Sequence, residues 1–281
     1  MTATAKLTRR AGIDRGRLIT RFLEDTVRPL AGLDVLDLGC GRGEISTALA
    51  AAGARLVACD FNTTVLRQAR ERVEAADGEV ACCATSAIEL PFANDSFDVI
   101  VFNGVLEWVG KAAPHRDPEA CQRQALTELH RVLRPGGAAY IAIENRTYPR
   151  WLIGDPHVRT PLVALLPRRV ANLLHRLVTG QKYVTYIHSY SRLRQLVRDG
   201  GFRDHRVYVP IFHYRWPLRV VPIDDGRRIA DEVRALRHEL RTRDGVSSPL
   251  AELKFALYRW TAVLGLSRLF FPSFVVLARR A

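Results

Sequence analysis

Val35-Leu-Asp-Leu-Gly39-Cys-Gly41-Arg-Gly43 is a short apolar run that breaks into three glycines at alternate positions, and Glu44 to Ala52 behind it is Ala-rich and helical. A strand, a glycine turn and a helix in that order let the backbone turn tightly and approach a ligand closely. The spacing is Gly-x-Gly-x-Gly, not the Gly-x-Gly-x-x-Gly of a dinucleotide pyrophosphate site. Asp37 sits just before the first glycine. A carboxylate at the mouth of the loop repels a pyrophosphate and suits a ligand with a cationic end, such as an amino-acid ammonium. Asp60 closes the next apolar run, where an acidic residue holds a ribose hydroxyl pair; the alternative for Asp60 is a helix N-cap. A nucleoside carrying an amino acid meets both demands, and S-adenosylmethionine is such a molecule.

Outward from the loop the pattern repeats. Arg55 to Cys59, Glu79 to Ala84, Phe97 to Phe102 and Ala138 to Glu144 read as further strands. Between them, Thr63 to Ala75 carries Val65, Leu66, Ala69 and Val73 on one helical face. Pro118 to Leu133 is a second helix, stopped by Arg134-Pro-Gly-Gly137. Strands alternating with helices predict an α/β fold, a parallel sheet with right-handed crossovers. The second half is less regular. Amphipathic helices are expected over Pro167 to Val178 and Arg227 to Arg241, a further helix over Tyr190 to Asp199, and strands over Arg206 to Ile211 and Ser273 to Ala278.

With Val35 to Gly43 and Asp60, Leu90-Pro-Phe-Ala-Asn-Asp-Ser-Phe-Asp98 and Leu129-His-Arg-Val-Leu-Arg-Pro-Gly-Gly137 complete a set of four motifs in order. Over about residues 30–145 the chain resembles the class I S-adenosylmethionine-dependent methyltransferases with the type 11 methyltransferase domain. The resemblance implies a Rossmann-like, seven-stranded, mostly parallel sheet with helices on both faces and helical cap insertions, Ser273 to Ala278 being the last strand. It implies S-adenosyl-L-methionine as cofactor. Asp37, Cys40 and the backbone of Gly39, Gly41 and Gly43 would hold its methionine end, Asp60 its ribose and Phe61 its adenine. Where the family has an acidic residue for the adenine amino group this chain reads Thr85-Ser86-Ala87, so Ser86 and the Ala87 N–H take that place. Asn103 and Gly104 would face the sulfonium; Asn-Gly is also a common turn pair. The implied layout is an N-terminal helical segment (1–30), the cofactor-binding core (31–145), a cap insertion (146–187), a core helix and sixth strand (188–211), a second insertion (212–270) and the final strand (271–281).

Methyl transfer to a hydroxyl needs a base, usually His, Asp or Glu. Many relatives have a histidine in a Leu-Glu-His pattern after the fourth strand; here it reads Leu106-Glu107-Trp108. Glu107 is then either a base or a buried structural carboxylate. His115 on the next loop, His157 in the turn Asp155-Pro-His157, and His213 and Tyr214 after the sixth strand are the other candidates. Glu144-Asn-Arg146, His188-Ser-Tyr-Ser191 and the proline-flanked stretch Val209 to Pro217 resemble a bacterial subgroup associated with cell-envelope glycan or secondary-metabolite assembly. That implies a small-molecule or glycan acceptor, methylated at oxygen.

The chain has 281 residues and a formal net charge of +13. That excess fits an anionic acceptor, RNA or an acidic lipid surface; codon bias toward arginine is the plain alternative. Adenine and cytosine N-methylation uses an Asn/Asp-Pro-Pro-aromatic stretch after strand four, and Asn103-Gly-Val-Leu stands there instead, which argues against a nucleic-acid substrate. The odd set Cys40, Cys59, Cys82, Cys83 and Cys121 has no CxxC pair, so neither a disulfide framework nor a metal site is expected and a reducing cytoplasm fits. Arg268 and Pro272 interrupt the most apolar stretch, Thr261 to Ala278, which makes a poor membrane span. Arg168 to Val178 and Leu253 to Phe271 mix basic with apolar residues. Their apolar faces are expected to pack on the core; the alternative is peripheral contact with the inner face of a membrane. Oligomeric state is not legible.

Overall fold

The computed structural model describes residues 14–152, 160, 162–244 and 249–281. Five parallel strands come first: β1 (Asp34–Leu38), β2 (Arg55–Asp60), β3 (Ala81–Ala84), β4 (Phe97–Asn103) and β5 (Leu133–Glu144). Helices α1 (Arg15–Thr26), α2 (Glu44–Ala51), α3 (Thr63–Glu74) and α4 (Pro118–Val132) precede or connect them. Beyond β5 lie α5 (Arg168–Thr179), α6 (Tyr190–Asp199), β6 (Asp204–Pro210), β7 (Val220–Pro222), α7 (Gly226–Asp244), α8 (Pro249–Val263), the short α9 (Ser267–Phe270) and β8 (Ser273–Arg279). The strand order is β3-β2-β1-β4-β5-β8-β6-β7, with β8 antiparallel to both β5 and β6.

Both faces of the sheet are covered, so its strands are apolar at successive positions rather than alternately polar. Val99 and Val101 of β4 face the side closed by Ile19 and Leu23 of α1 and Leu49 of α2. Ile100 and Phe102 face the opposite side, closed by Leu126 and Leu129 of α4 and Leu193 of α6. On the first side Phe22 meets Tyr140 and Tyr208 edge-on, at 5.8 and 5.0 Å.

The structure departs from the sequence expectations in four places. The sheet has eight strands, not seven. The extra one, β7, has three residues and pairs with β6 at Tyr208–Pro210, too short beside Pro217 and Pro222 to register as a periodic run. Pairing of β3 starts at Ala81 rather than Glu79. Next, β5 starts at Leu133, which pairs with Phe97 before pairing resumes at Val99–Ala138. The Arg134-Pro-Gly-Gly137 turn is thus a bulge within the strand, with Gly136 at φ +77°. Finally, the apolar faces of α5 and α8 do not both pack on the core. Val170, Leu173, Leu177 and Val178 are 48–75% exposed, and so are Leu253, Leu257, Trp260 and Val263, at 46–66%. By contrast, the stripe Ile229, Val233, Leu236 and Leu240 of α7 is buried as expected.

Arg134 pins the bulge by donating to Asp34 and Asp98, each at 2.7 Å. Bonds from Arg55 first, and from Arg134, hold the Asp34 carboxyl down to about 2. Its contribution to stability is complete above the ordinary carboxylate range and is lost as pH falls from about 4 through 2. Arg134→Ala is expected to lower the melting temperature at pH 7 by a few degrees, on the order of 1 kcal/mol for a half-exposed pair. The gap from the native chain should close on acidification; a gap that widens toward pH 2 would refute the assignment.

Candidate functional site

At the carboxyl end of β1 the chain turns through Gly39, Gly41 and Gly43, at φ +73°, +53° and +76°. Two of these positions also lack room for a side chain. A Cβ on Gly39 would stand 2.4 Å from Val105 Cγ2, and one on Gly43 2.8 Å from Ala69 Cα. The N–H groups of Gly39 and Cys40 both donate to the Cys59 carbonyl, which ties the loop to the end of β2. Asp60 completes the tie: its Oδ2 accepts from the Gly41 N–H at 3.1 Å and its Oδ1 from the Asn62 N–H at 2.9 Å. The cap of α3 is Asn62, which accepts from Thr64 and Val65. Asp60 is therefore not the N-cap, and each of its carboxylate oxygens retains a lone pair beyond its backbone bond.

A cleft of about 520 Å³ opens beside this loop, lined in part by Gly39, Asp60, Phe61, Ser86, Ala87 and Gly104. Of the residues expected to hold a cofactor, these six reach its wall. Asp37, Cys40, Gly41, Gly43 and Asn103 are not among its lining residues. Asp37 is buried beneath the loop, accepts from the Ser46 hydroxyl at 2.6 Å, and is pushed up to about 6 by burial. Burial likewise raises the Cys40 thiol, and the charges of Asp37 and Asp60 add to that rise. The buried Asn103 Oδ1 finds no hydrogen-bond partner among the described residues. Phe61 stands 75% exposed at the rim. Trp108, Val109 and Lys111 also line the cleft, and the Lys111 ammonium lies 4.2 Å over the Trp108 ring. The sequence did not single these out, because they lie on a short 3₁₀ helix, Leu106–Ala112, whose few residues carry no readable periodicity. The dimensions suit a drug-sized ligand. The bare glycine loop, the Asp60 carboxylate and the Asn103 oxygen fit an amino-acid nucleoside.

The second part of the site meets the first at Gly104. Here φ is +71°, and a Cβ would lie 2.3 Å from Tyr214 Cε2, so the tyrosine ring packs directly on this backbone. The buried Tyr214 hydroxyl donates to Glu107 Oε1 at 2.9 Å and accepts from Arg215 Nε at 3.2 Å. Burial raises the Tyr214 hydroxyl well above its ordinary range, which the charges of Glu107 and Glu144 reinforce. Glu144, at the end of β5, is buried; its Oε1 lies 3.6 Å from both His213 Nε2 and Arg215 Nη2. Burial pushes His213 below its ordinary range despite Glu144. Phe212, at φ +80°, turns the chain inward after β6, and its ring is clamped edge-on by Phe255 and Tyr258 at 5.2 and 5.9 Å. That is a strained conformation for a bulky residue, and it sets the direction of His213, Tyr214 and Arg215.

Glu107, His213 and Tyr214 therefore come together, joined by Glu144 and Arg215, which sequence reasoning did not propose as catalytic. His115 lies apart, exposed on the loop before α4. His157 falls outside the described residues. A small chamber of about 120 Å³ opens from Glu144 and His213. Its walls are aromatic (Tyr148, Trp151, Phe212, Trp216) and cationic (Arg150, Arg215, Lys254). Burial, then the nearby Arg150 charge, bring Lys254 down to about 8. A larger groove, about 670 Å³, lies between α1 and α7, but the glycine loop does not reach it.

Comparison with known proteins bears on this geometry. Residues 36–141 match the family model described as a methyltransferase domain. A demethylmenaquinone methyltransferase of Clavibacter sepedonicus is 41% identical over 115 residues, 41% of this chain and 42% of that protein. A ubiquinone biosynthesis O-methyltransferase of Ruegeria pomeroyi is 36% identical over 196 residues, 69% of this chain and 70% of that protein. The chain spans about half the length of most of the curated relatives it matches. Among solved structures, the [4+2]-cyclase SpnF superposes with a TM-score of 0.53 at 15% identity, covering 94% of this chain and 80% of that one. At that identity the likeness speaks for the fold alone.

Proposed function

The chain belongs to the class I S-adenosylmethionine-dependent methyltransferase family, and on that premise we propose that it transfers a methyl group to an oxygen atom of a small acceptor. One observation carries this reading: Tyr214, which bonds Glu107 and Arg215 and adjoins the His213–Glu144 pair, packs on Gly104, which also lines the cleft beside the glycine loop. S-adenosylmethionine, when bound, supplies an electrophilic methyl group on a good leaving group. Asp60 would hold the ribose hydroxyls, Gly39 and the buried Asp37 the amino-acid end, Ser86 and Ala87 the adenine edge, and Asn103 and Gly104 the side facing the sulfonium. The protein's part in catalysis is position and a dry pocket. His213 is neutral at pH 7 because burial opposes its charge; its Nδ1 accepts from the Arg215 N–H at 3.2 Å, and it takes the acceptor's proton there by exchanging that backbone bond for the acceptor's hydroxyl. Glu144 stabilises the imidazolium that results. Tyr214, bonded to Glu107, braces the Gly104 backbone.

The chamber walls favour a flat acceptor with an acidic group, met by Arg150, Arg215 and Lys254. Relatives named for quinone biosynthesis support a small-molecule acceptor. The subgroup motifs keep glycan and secondary-metabolite acceptors in the same class. No helix among the described residues is long and apolar enough to cross a membrane.

Calorimetric titration with S-adenosylhomocysteine tests the cofactor. The native chain is expected to bind in the micromolar range. Asp60→Ala should weaken binding about a hundredfold, as two charge-assisted hydrogen bonds are lost. Binding would justify a screen of phenolic and carboxylate-bearing acceptors with methyl-labelled S-adenosylmethionine. An Asp60→Ala variant that binds as tightly as the native chain would remove Asp60 from the site.

A further inference from the structure

Helix α5 is attached to the molecule by its polar side. Its buried residues are Ala171 and His175, and His175 Nδ1 lies 3.0 Å from the Thr160 hydroxyl. Arg168 donates to the Ile187 carbonyl and stacks on the Tyr186 ring at 3.8 Å. Val170, Leu173, Leu177 and Val178 point outward instead, up to 75% exposed. Helix α8 is apolar on both sides. Phe255, Tyr258 and Ala262 are buried, while Leu253, Leu257, Trp260 and Leu264 form an exposed stripe on the opposite side, at i, i+4, i+7 and i+11. A helix that is apolar all round belongs in a core or in lipid.

The segment before α5 and the short helix after α8 meet at Asn145–Thr147. Arg146 donates to the carbonyls of Ala164, Leu165 and Leu166 ahead of α5. Its neighbours Asn145 and Thr147 bond the carbonyls of Arg268 and Leu269 in α9, which follows α8. The charges flanking the stripes are of one sign. No acidic residue occurs between Asp155 and Asp199, and exposed Arg169 and Arg176 edge the α5 stripe. On α8, Arg259 lies beside Trp260, and the acidic Glu252 is engaged by Arg237 and Arg241 of α7.

We infer that α5 and α8 seat the protein on the surface of an anionic lipid bilayer, their apolar stripes in the acyl boundary and Arg169, Arg176 and Arg259 at the headgroups. A second copy of this chain fits less well. A two-fold interface sets the same patch against itself, so arginine would meet arginine with no carboxylate on α5 to pair it. Such seating is independent of methyl transfer and is read by binding alone.

Sedimentation with vesicles decides it. The native chain is expected to pellet with equimolar phosphatidylcholine–phosphatidylglycerol vesicles at low salt, and far less with phosphatidylcholine alone. Leu173→Ser/Leu177→Ser and Leu257→Ser/Trp260→Ser should each weaken partitioning about a hundredfold, since two large apolar side chains leave the lipid. Far-ultraviolet circular dichroism of the same samples shows whether each variant is folded. Failure of the native chain to pellet with the anionic vesicles overturns the inference, as do folded variants that pellet like it. A dimer in solution that Leu173→Ser/Leu177→Ser disperses, without vesicle binding, overturns it in favour of a second copy.

Discussion

Alanine at position 213 is expected to lower turnover about 10²–10⁴-fold, the usual cost of a lost general base, while affinity for S-adenosylhomocysteine stays within about twofold. The split follows from placement. His213 lines the small chamber beside Glu144, whereas the cleft at the glycine loop is walled by Gly39, Asp60 and Ser86. The pH dependence has a definite sign. A base works deprotonated, and burial lowers His213, so turnover should already be on its plateau at pH 7 and its acid limb should lie below the ordinary histidine range. Glu144 favours the protonated ring. Glu144→Gln should therefore move the acid limb to still lower pH and slow the plateau rate. Methyl transfer to an acceptor found in the screen, followed against pH, checks both. A His213→Ala variant with full turnover would move the base elsewhere.

Gly104→Ala should be the most damaging small substitution in the site, costing about 2–5 kcal/mol from backbone strain and overpacking together. Gly104 is at φ +71°, and the new methyl would stand 2.3 Å from Tyr214 Cε2. The ring cannot retreat, because its hydroxyl is held by Glu107 and its backbone N–H by the Ser273 hydroxyl. Gly41→Ala is the matched control: φ is +53° there, but no heavy atom lies within 4 Å of the added carbon. It should cost only the backbone part, about 1–2 kcal/mol. Urea unfolding of the two variants compares them directly, and equal stabilities would remove Tyr214 from its place against Gly104.

The glycine loop and its cleft were legible because they are local in sequence. Strand, glycine turn and helix adjoin one another, and Asp60 ends the very next strand. The chamber was not, because β5, the turn after β6 and α8 bring Glu144, Arg215 and Lys254 together from distant parts of the chain. Nothing in the neighbourhood of Glu144 marks it as buried beside a histidine some seventy positions away. The strain at Phe212 that aims His213 inward has no sequence signature, since glycine or asparagine is the usual occupant of that conformation. Amphipathic spacing in α5 correctly identified the apolar residues, but periodicity tells which side is apolar, not what that side faces. An eighth strand of three residues between prolines falls below the length at which alternation can be read.

The position of β8 has a consequence for how the molecule assembles. β6 and β7 reach the rest of the sheet only through β8, which pairs with β5 on its other edge. During synthesis β1 to β5 emerge first; β2 joins β1, β3 joins β2 and β5 joins β4 by short closures, and β4 joins β1 at Val35–Val99 across a longer one. The β6–β7 hairpin has no edge to join until Ser273–Arg279 has left the ribosome and slotted in against β5, a late and entropically expensive closure. The glycine loop and its cleft thus belong to an early-forming half, and His213 and Tyr214 to a half that docks last.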